Sequence, residues 1–126
     1  MALTQEAKQQ WEATLREGEL MNVDDCIEAH VQGDYWEFLG GQTRGNFFFT
    51  KEKFIFVSGL GVTNFSINYT DIRELKKTFV GPFIPTGIKV SAMNPEKGKI
   101  KSYKCSVMKR NDWIALLAEK SGVTLA

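Results

Sequence analysis

Two cysteines, one histidine and three prolines are all that 126 residues hold of these types. Each scarcity removes a class of protein. Cys26 and Cys105 belong to no CxxC pair and no Cys/His cluster, so a structural zinc site lacks its ligands. They read as reduced thiols acting as small apolar residues, with a single disulfide as the alternative. His30 is the only histidine, which leaves no partner for a metal pair and no pattern of a Ser–His or Cys–His triad. Walker A, GxGxxG, HExxH and EF-hand patterns are absent. Asp24, Asp25 and Glu28 read as a solvated acidic stretch. The sequence thus predicts no catalytic residue, no metal and no cofactor.

Long apolar runs are missing too. No stretch approaches the roughly 20 residues that span a bilayer as a helix. The opening Met1-Ala2-Leu3-Thr4-Gln5-Glu6 is polar and has no apolar signal core. The reading is a cytoplasmic domain, with peripheral membrane contact as an option. Hydrophobic residues nonetheless make up 43%, and nine residues are Phe, so a packed core is within reach. Net charge is only +1, and no RNP-type aromatic motif occurs, which argues against nucleic acid. The distribution is uneven. Residues 1–40 carry two basic and nine acidic side chains, while residues 86–126 carry eight basic and three acidic ones.

Leu3, Ala7, Trp11 and Leu15 recur every fourth residue and predict an N-terminal helix over residues 1–20, capped by Thr4 and stopped at Gly18. So narrow a stripe needs a docking surface. The remaining residues, 21–126, form the main domain. A strand is predicted from Cys26 to Val31; Gln32–Gln42 is either its extension or a bulged loop. Asn46–Thr50 and Phe54–Val57 flank the polar Lys51-Glu52-Lys53 and predict a β-hairpin. Alternation puts Phe47, Phe49, Phe54 and Phe56 on one face and Phe48, Ile55 and Val57 on the other. With both faces apolar, the hairpin is buried twice over or awaits a cover, and the N-terminal helix is the expected cover.

Phe65, Ile67 and Tyr69 alternate in the next strand, and Ile72, Leu75 and Phe79 mark another. The prolines and glycines of 81–87 predict a loop. Ile88, Val90 and Ala92 then alternate, 94–98 is a turn, and Tyr103, Cys105 and Val107 form the inner row of a last strand. Asn111 should cap a helix carrying Trp113, Leu116 and Leu117, ended by Ser121-Gly122. Helix, about seven strands, helix, with no βαβ alternation, excludes a parallel nucleotide-binding sheet.

Gly45-Asn46-Phe47-Phe48-Phe49-Thr50, then Phe54-Ile55-Phe56, then Phe65-Ser66-Ile67-Asn68-Tyr69-Thr70-Asp71-Ile72 resembles the GRAM family over roughly residues 26–120. The resemblance implies a mainly β, pleckstrin-homology-like sandwich or partly open barrel of about seven antiparallel strands, plugged at one end by the C-terminal helix. It also implies a binding module for lipids, peptides or proteins. Lipid-binding pleckstrin-homology domains usually carry a Lys/Arg cluster between their first two strands. Here that stretch has Asp34, Glu37 and only Arg44, so no lipid site carries over.

Two groups remain as candidates. Lys89, Lys97, Lys99, Lys101 and Lys104 surround one hairpin and offer a cationic edge to anions or lipid headgroups; the plainer reading is solvated lysines that discourage edge pairing. Phe79, Phe83 and Ile84 offer a partner or membrane loop, unless they fold back over an open corner. The function expected is a non-catalytic module that binds a protein surface or its own copies, with anionic membrane binding as the alternative.

Overall fold

The computed structural model describes residues 3–37, 41–81 and 83–126. Helix α1 (Gln5–Glu17) precedes strands β1 (Ile27–Trp36), β2 (Gln42–Thr50), β3 (Lys53–Ser58) and β4 (Asn64–Asn68). A 3₁₀ turn, Tyr69–Asp71, leads to β5 (Ile72–Val80), β6 (Ile84–Asn94), β7 (Lys99–Val107) and helix α2 (Arg110–Ser121). The strands form one antiparallel sheet in the order β4-β3-β2-β1-β7-β6-β5. No helix among the described residues is long and apolar enough to cross a membrane.

The ambiguous segment after Val31 is strand. β1 pairs with β2 from Ile27 to Trp36, and its second half, Gly33–Trp36, also pairs with β7. The two halves of the sheet therefore share only those four residues. The junction is crowded. A Cβ on Gly33 would stand 2.4 Å from the Ser106 carbonyl oxygen, and one on Gly45 would stand 2.3 Å from that of Val57. Gly33 and Gly45 face each other across β1 and β2. Only residues without a side chain allow this close approach of backbones.

The inner face holds the main core. Phe47, Phe49, Phe54, Phe56, Ile67, Tyr69, Val90, Val107 and Leu117 are buried as the alternation predicts. Phe65 and Trp113 are only partly buried; both pack against the core from its margin. Trp113 stacks on Phe49 with ring centroids 5.0 Å apart. From α2 it is Ile114, not Leu116, that joins Leu117 in full burial.

The opposite face of the hairpin is covered by α1. Leu15, Met21, Ile27, Phe48, Ile55 and Val57 form a second buried cluster, with Leu3, Trp11 and Leu20 at its rim. Trp11 meets Phe48 at 4.8 Å between centroids. The Thr4 hydroxyl accepts from the Ala7 N–H, so the cap is as predicted. Polar clasps fix the helix. The buried Glu12 carboxylate accepts the Ile27 N–H at 2.8 Å, and Arg16 donates to the Asp25 carbonyl at 2.7 Å. Asp25 is not solvated as the sequence suggested. It is buried, accepting from the Thr50 hydroxyl at 2.6 Å and the Cys26 N–H at 2.7 Å.

Two local expectations need correction. Residues 84–87, read as loop, belong to β6. Thr78 pairs with Gly87 and Val80 with Ile84, so Pro85 and Thr86 oppose Phe79 alone. Pro85 sits in that bulge, where its missing N–H breaks no ladder bond. The uneven spacing of Ile72 and Leu75 has the same origin, a register shift at Arg73. Helix α2 starts two residues early, after Lys109 in the left-handed region, and no side chain caps it; Asn111 lies inside the first turn.

Candidate functional site

The register of β5, β6 and β7 creates a feature that no single strand displays. Lys76 pairs with Lys89, Lys89 with Lys104, and Lys104 with Trp36. Three lysines and a tryptophan therefore line up across four strands on the outer face, away from the core. Lys76 and Lys104 are exposed, and Lys89 lies 3.7 Å from Glu74, the one carboxylate among the described residues in an ion pair with the row. The rows on either side carry one acid each, Glu74 in register with Ser91 and Ser102, and Asp34 in register with Ser106, Gly87 and Thr78. Ser91 and Ser102 share a hydrogen bond of 2.9 Å, and on the other side of the lysine row Ser106 is buried beneath Trp36, accepting from its indole N–H at 3.1 Å.

The five candidate lysines do not form one patch. Lys89, Lys101 and Lys104 line a shallow cleft of about 340 Å³ together with Trp36. Lys101 reaches it from the other side of β7, with its ammonium 5.0 Å from the Tyr103 ring. Lys97 lies in the β6–β7 turn and Lys99 opens β7 opposite Asn94, both away from the row. In the β1–β2 region Arg44 is paired with Asp34 at 3.7 Å, so the only base there is partly neutralised. Sequence reading missed Trp36 because it fell in the unassigned stretch. Once β1 extends that far, its parity with Gln32 and Asp34 would have placed it outward.

Phe79, Phe83 and Ile84 do not fold back over a corner. They are 59%, 84% and 46% exposed. They surround the β5–β6 turn, where Gly81 takes a left-handed conformation (φ +57). A Cβ there would lie 3.5 Å from the Trp36 ring and 3.8 Å from the Ile84 side chain, so Trp36 backs the turn. The lysine row and the apolar turn thus adjoin through one indole.

The histidine and the buried cysteine lie elsewhere. His30 bonds Asn46 through Nε2 at 2.8 Å and packs on Phe48. Burial pushes the Cys105 thiol far above its ordinary range, so it stays protonated. Among the described residues no group of three His, Cys, Asp or Glu side chains is placed to hold a metal ion.

No family model matches the chain, and no curated protein matches it in sequence. Solved structures do match in shape. The C-terminal domain of an unknown protein from Leishmania infantum superposes with a TM-score of 0.70 at 15% identity, covering 91% of this chain and 97% of that one. The DH/PH domains of PDZ-RhoGEF, solved in complex with GTP-gamma-S-activated RhoA, give 0.62 at 8% identity over 93% of this chain and 34% of that one. The hSac2 domain of human phosphoinositide phosphatase Sac2 gives 0.58 at 6% identity, over 99% and 89%. The fold is pleckstrin-homology-like.

Proposed function

We propose that this chain is a non-catalytic interaction module of GRAM and pleckstrin-homology type, and that it engages a protein partner through the outer face of β5–β7. The GRAM affiliation stands on the residue pattern of 45–72. The observation that carries the functional reading is the pairing of an exposed apolar turn, Phe79, Phe83 and Ile84, with the row Lys76, Lys89, Lys104 and Trp36. Exposed aromatic and aliphatic side chains beside cations are what an interface offers before it is covered. A neighbour in shape, the DH/PH domains of PDZ-RhoGEF, was solved in complex with the protein RhoA, which is consistent with a protein partner.

A photo-crosslinking residue at position 83 tests the reading. A discrete protein adduct in cells, or a dimer of the chain in solution, is expected, and Lys89→Glu with Lys104→Glu should abolish it. If no adduct forms and the protein instead floats with phosphatidylserine vesicles but not neutral ones, the membrane alternative replaces this reading. That alternative draws on the same juxtaposition of apolar turn and lysines.

A further inference from the structure

Two strands of the sheet have a single neighbour, β4 beside β3 and β5 beside β6. They are guarded differently. β5 carries Arg73, Glu74, Lys76 and Lys77, and its register shifts twice against β6. Charges and bulges of this kind keep a stray strand from pairing with an edge. β4 reads Asn64-Phe65-Ser66-Ile67-Asn68, with no charge, no proline and an unbroken register against β3. Its shortness is its one restraint.

The ladder fixes which way the β4 backbone points. The Ser58 N–H donates to the Thr63 carbonyl, and the Tyr69 N–H to that of Glu52, at the two ends of the β3–β4 pair. Antiparallel pairs alternate between bonded and non-bonded. Counting inward from either end, Phe65 and Ile67 bond to β3, while Asn64, Ser66 and Asn68 turn N–H and carbonyl to the open side. Among the described residues no hydrogen bond engages any of these outward groups. The open side adjoins a cleft of about 270 Å³ whose walls include Ser66, Asn68, Asp71, Met93, Glu96 and Tyr103. Asp71 and Glu96 are the charged residues of the lining, and among the described residues neither is in an ion pair. Two cations near the lining are already engaged. Lys53 donates to the Asn68 side-chain carbonyl at 2.8 Å, and the Lys101 ammonium lies 5.0 Å from the centre of the Tyr103 ring.

We propose that the open edge of β4 is a strand-addition site for an extended segment of a protein partner that carries a basic side chain. The site is separate from the outer face of β5–β7, and neither reading depends on the other. Strand addition takes affinity from main-chain bonds and selectivity from alternate side chains. Here the incoming backbone bonds Asn64, Ser66 and Asn68. Its basic side chain meets Asp71 and Glu96, and an apolar one lies against Ile67 and Tyr103. An acidic segment would set like charges together, which is how the edge discriminates among strands. A second copy's β4 has no base to offer these carboxylates, so the occupant is a different chain.

The probe is a short, fluorescently labelled peptide of valine, threonine and serine with a central lysine, titrated onto the full chain beside its counterpart with a central glutamate. The lysine peptide should bind about tenfold more tightly, a gap that narrows with salt. It should slow amide exchange at Asn64, Ser66 and Asn68. Ser66→Pro should abolish binding with circular dichroism unchanged, since the fold can dispense with an outward N–H on an edge strand. Ser66→Ala, which loses the hydroxyl's bond to the Leu20 carbonyl but keeps the N–H, should bind as the parent does. Glu96→Lys, in the exposed β6–β7 turn, should remove most of the preference for lysine. The exchange footprint and Glu96→Lys decide even where the proline variant does not fold. Equal binding of the two peptides, no binding by the parent, exchange slowed elsewhere than along β4, or binding indifferent to Ser66→Pro overturns the proposal. A dimer of the chain that Ser66→Pro dissolves, with no peptide binding, also overturns it and assigns the edge to a second copy. Lys89→Glu with Lys104→Glu should not weaken peptide binding; loss there would refute the β4 edge while sparing the outer-face reading.

Discussion

Single residues set the tightest constraints on this molecule. At Gly33 an added methyl would meet the Ser106 carbonyl oxygen at 2.4 Å and the Val107 side chain at 2.8 Å. Backbone oxygens cannot rotate away, so Gly33→Ala should cost about 3 kcal/mol or more, at or above the upper end of ordinary overpacking; urea unfolding measures it. The tyrosines give a second prediction. Burial is the main cause raising the pKa of Tyr35, Tyr69 and Tyr103 above the ordinary value of about 10. Tyr69 is the extreme case, its hydroxyl donating to the Thr50 carbonyl at 2.8 Å. Below pH about 10 both folded and unfolded chains keep these protons, so the tyrosines contribute no pH dependence. Above it the unfolded chain releases protons that the folded one retains, and stability falls as pH rises. Absorbance titration should show Tyr69 ionising only together with alkaline unfolding, not as a separate step in the ordinary tyrosine range.

At the scale of elements, α1 decides whether the β2–β3 hairpin is soluble. Leu15 is fully buried against that hairpin's outer face. Leu15→Ala should cost about 2–5 kcal/mol, and chemical denaturation will read it. Deleting residues 1–17 should lower the melting temperature and cause self-association, because Phe48, Ile55 and Val57 lose their cover. Much of this was legible beforehand. Period-two alternation assigned Phe47, Phe49, Phe54 and Phe56 to one face, and its complement called for a cover that the Leu3–Leu15 stripe could supply. Alternation failed where strands carry an extra residue. The shift at Arg73 and the bulge opposite Phe79 break the count, so β5 looked irregular and the start of β6 looked like loop. Asp25 was misread for a different reason. Its partner Thr50 lies twenty-five positions away, and only the folded chain brings the hydroxyl to the carboxylate.

At the scale of the whole molecule, stability and binding surface occupy different parts of the sheet. The two buried clusters lie inside the sheet and beneath α1, whereas the lysine row lies on the outer face of β5–β7. Lys89→Glu with Lys104→Glu should leave thermal stability within about 0.5 kcal/mol of the parent, as is usual for surface changes, while abolishing partner contact. The candidate site was only half legible for the same geometric reason. Sequence shows that Lys76, Lys89 and Lys104 are basic, but their alignment depends on inter-strand register, which is a property of neighbours rather than of the chain.

The hairpin with two apolar faces has a consequence in the order of synthesis. A ribosome releases α1 before it releases β2 and β3. When the aromatic strands emerge, the segment that will cover Phe48, Ile55 and Val57 is already outside and waiting. Strands of this kind, rich in Phe and uncharged over several residues, are prone to stacking while unprotected. The chain meets that hazard by sequence order alone. A circular permutant that carries α1 after α2 would reach the same final structure, yet each nascent copy would pass through a period with its hairpin bare, and yield in cells would fall while the purified fold stayed intact.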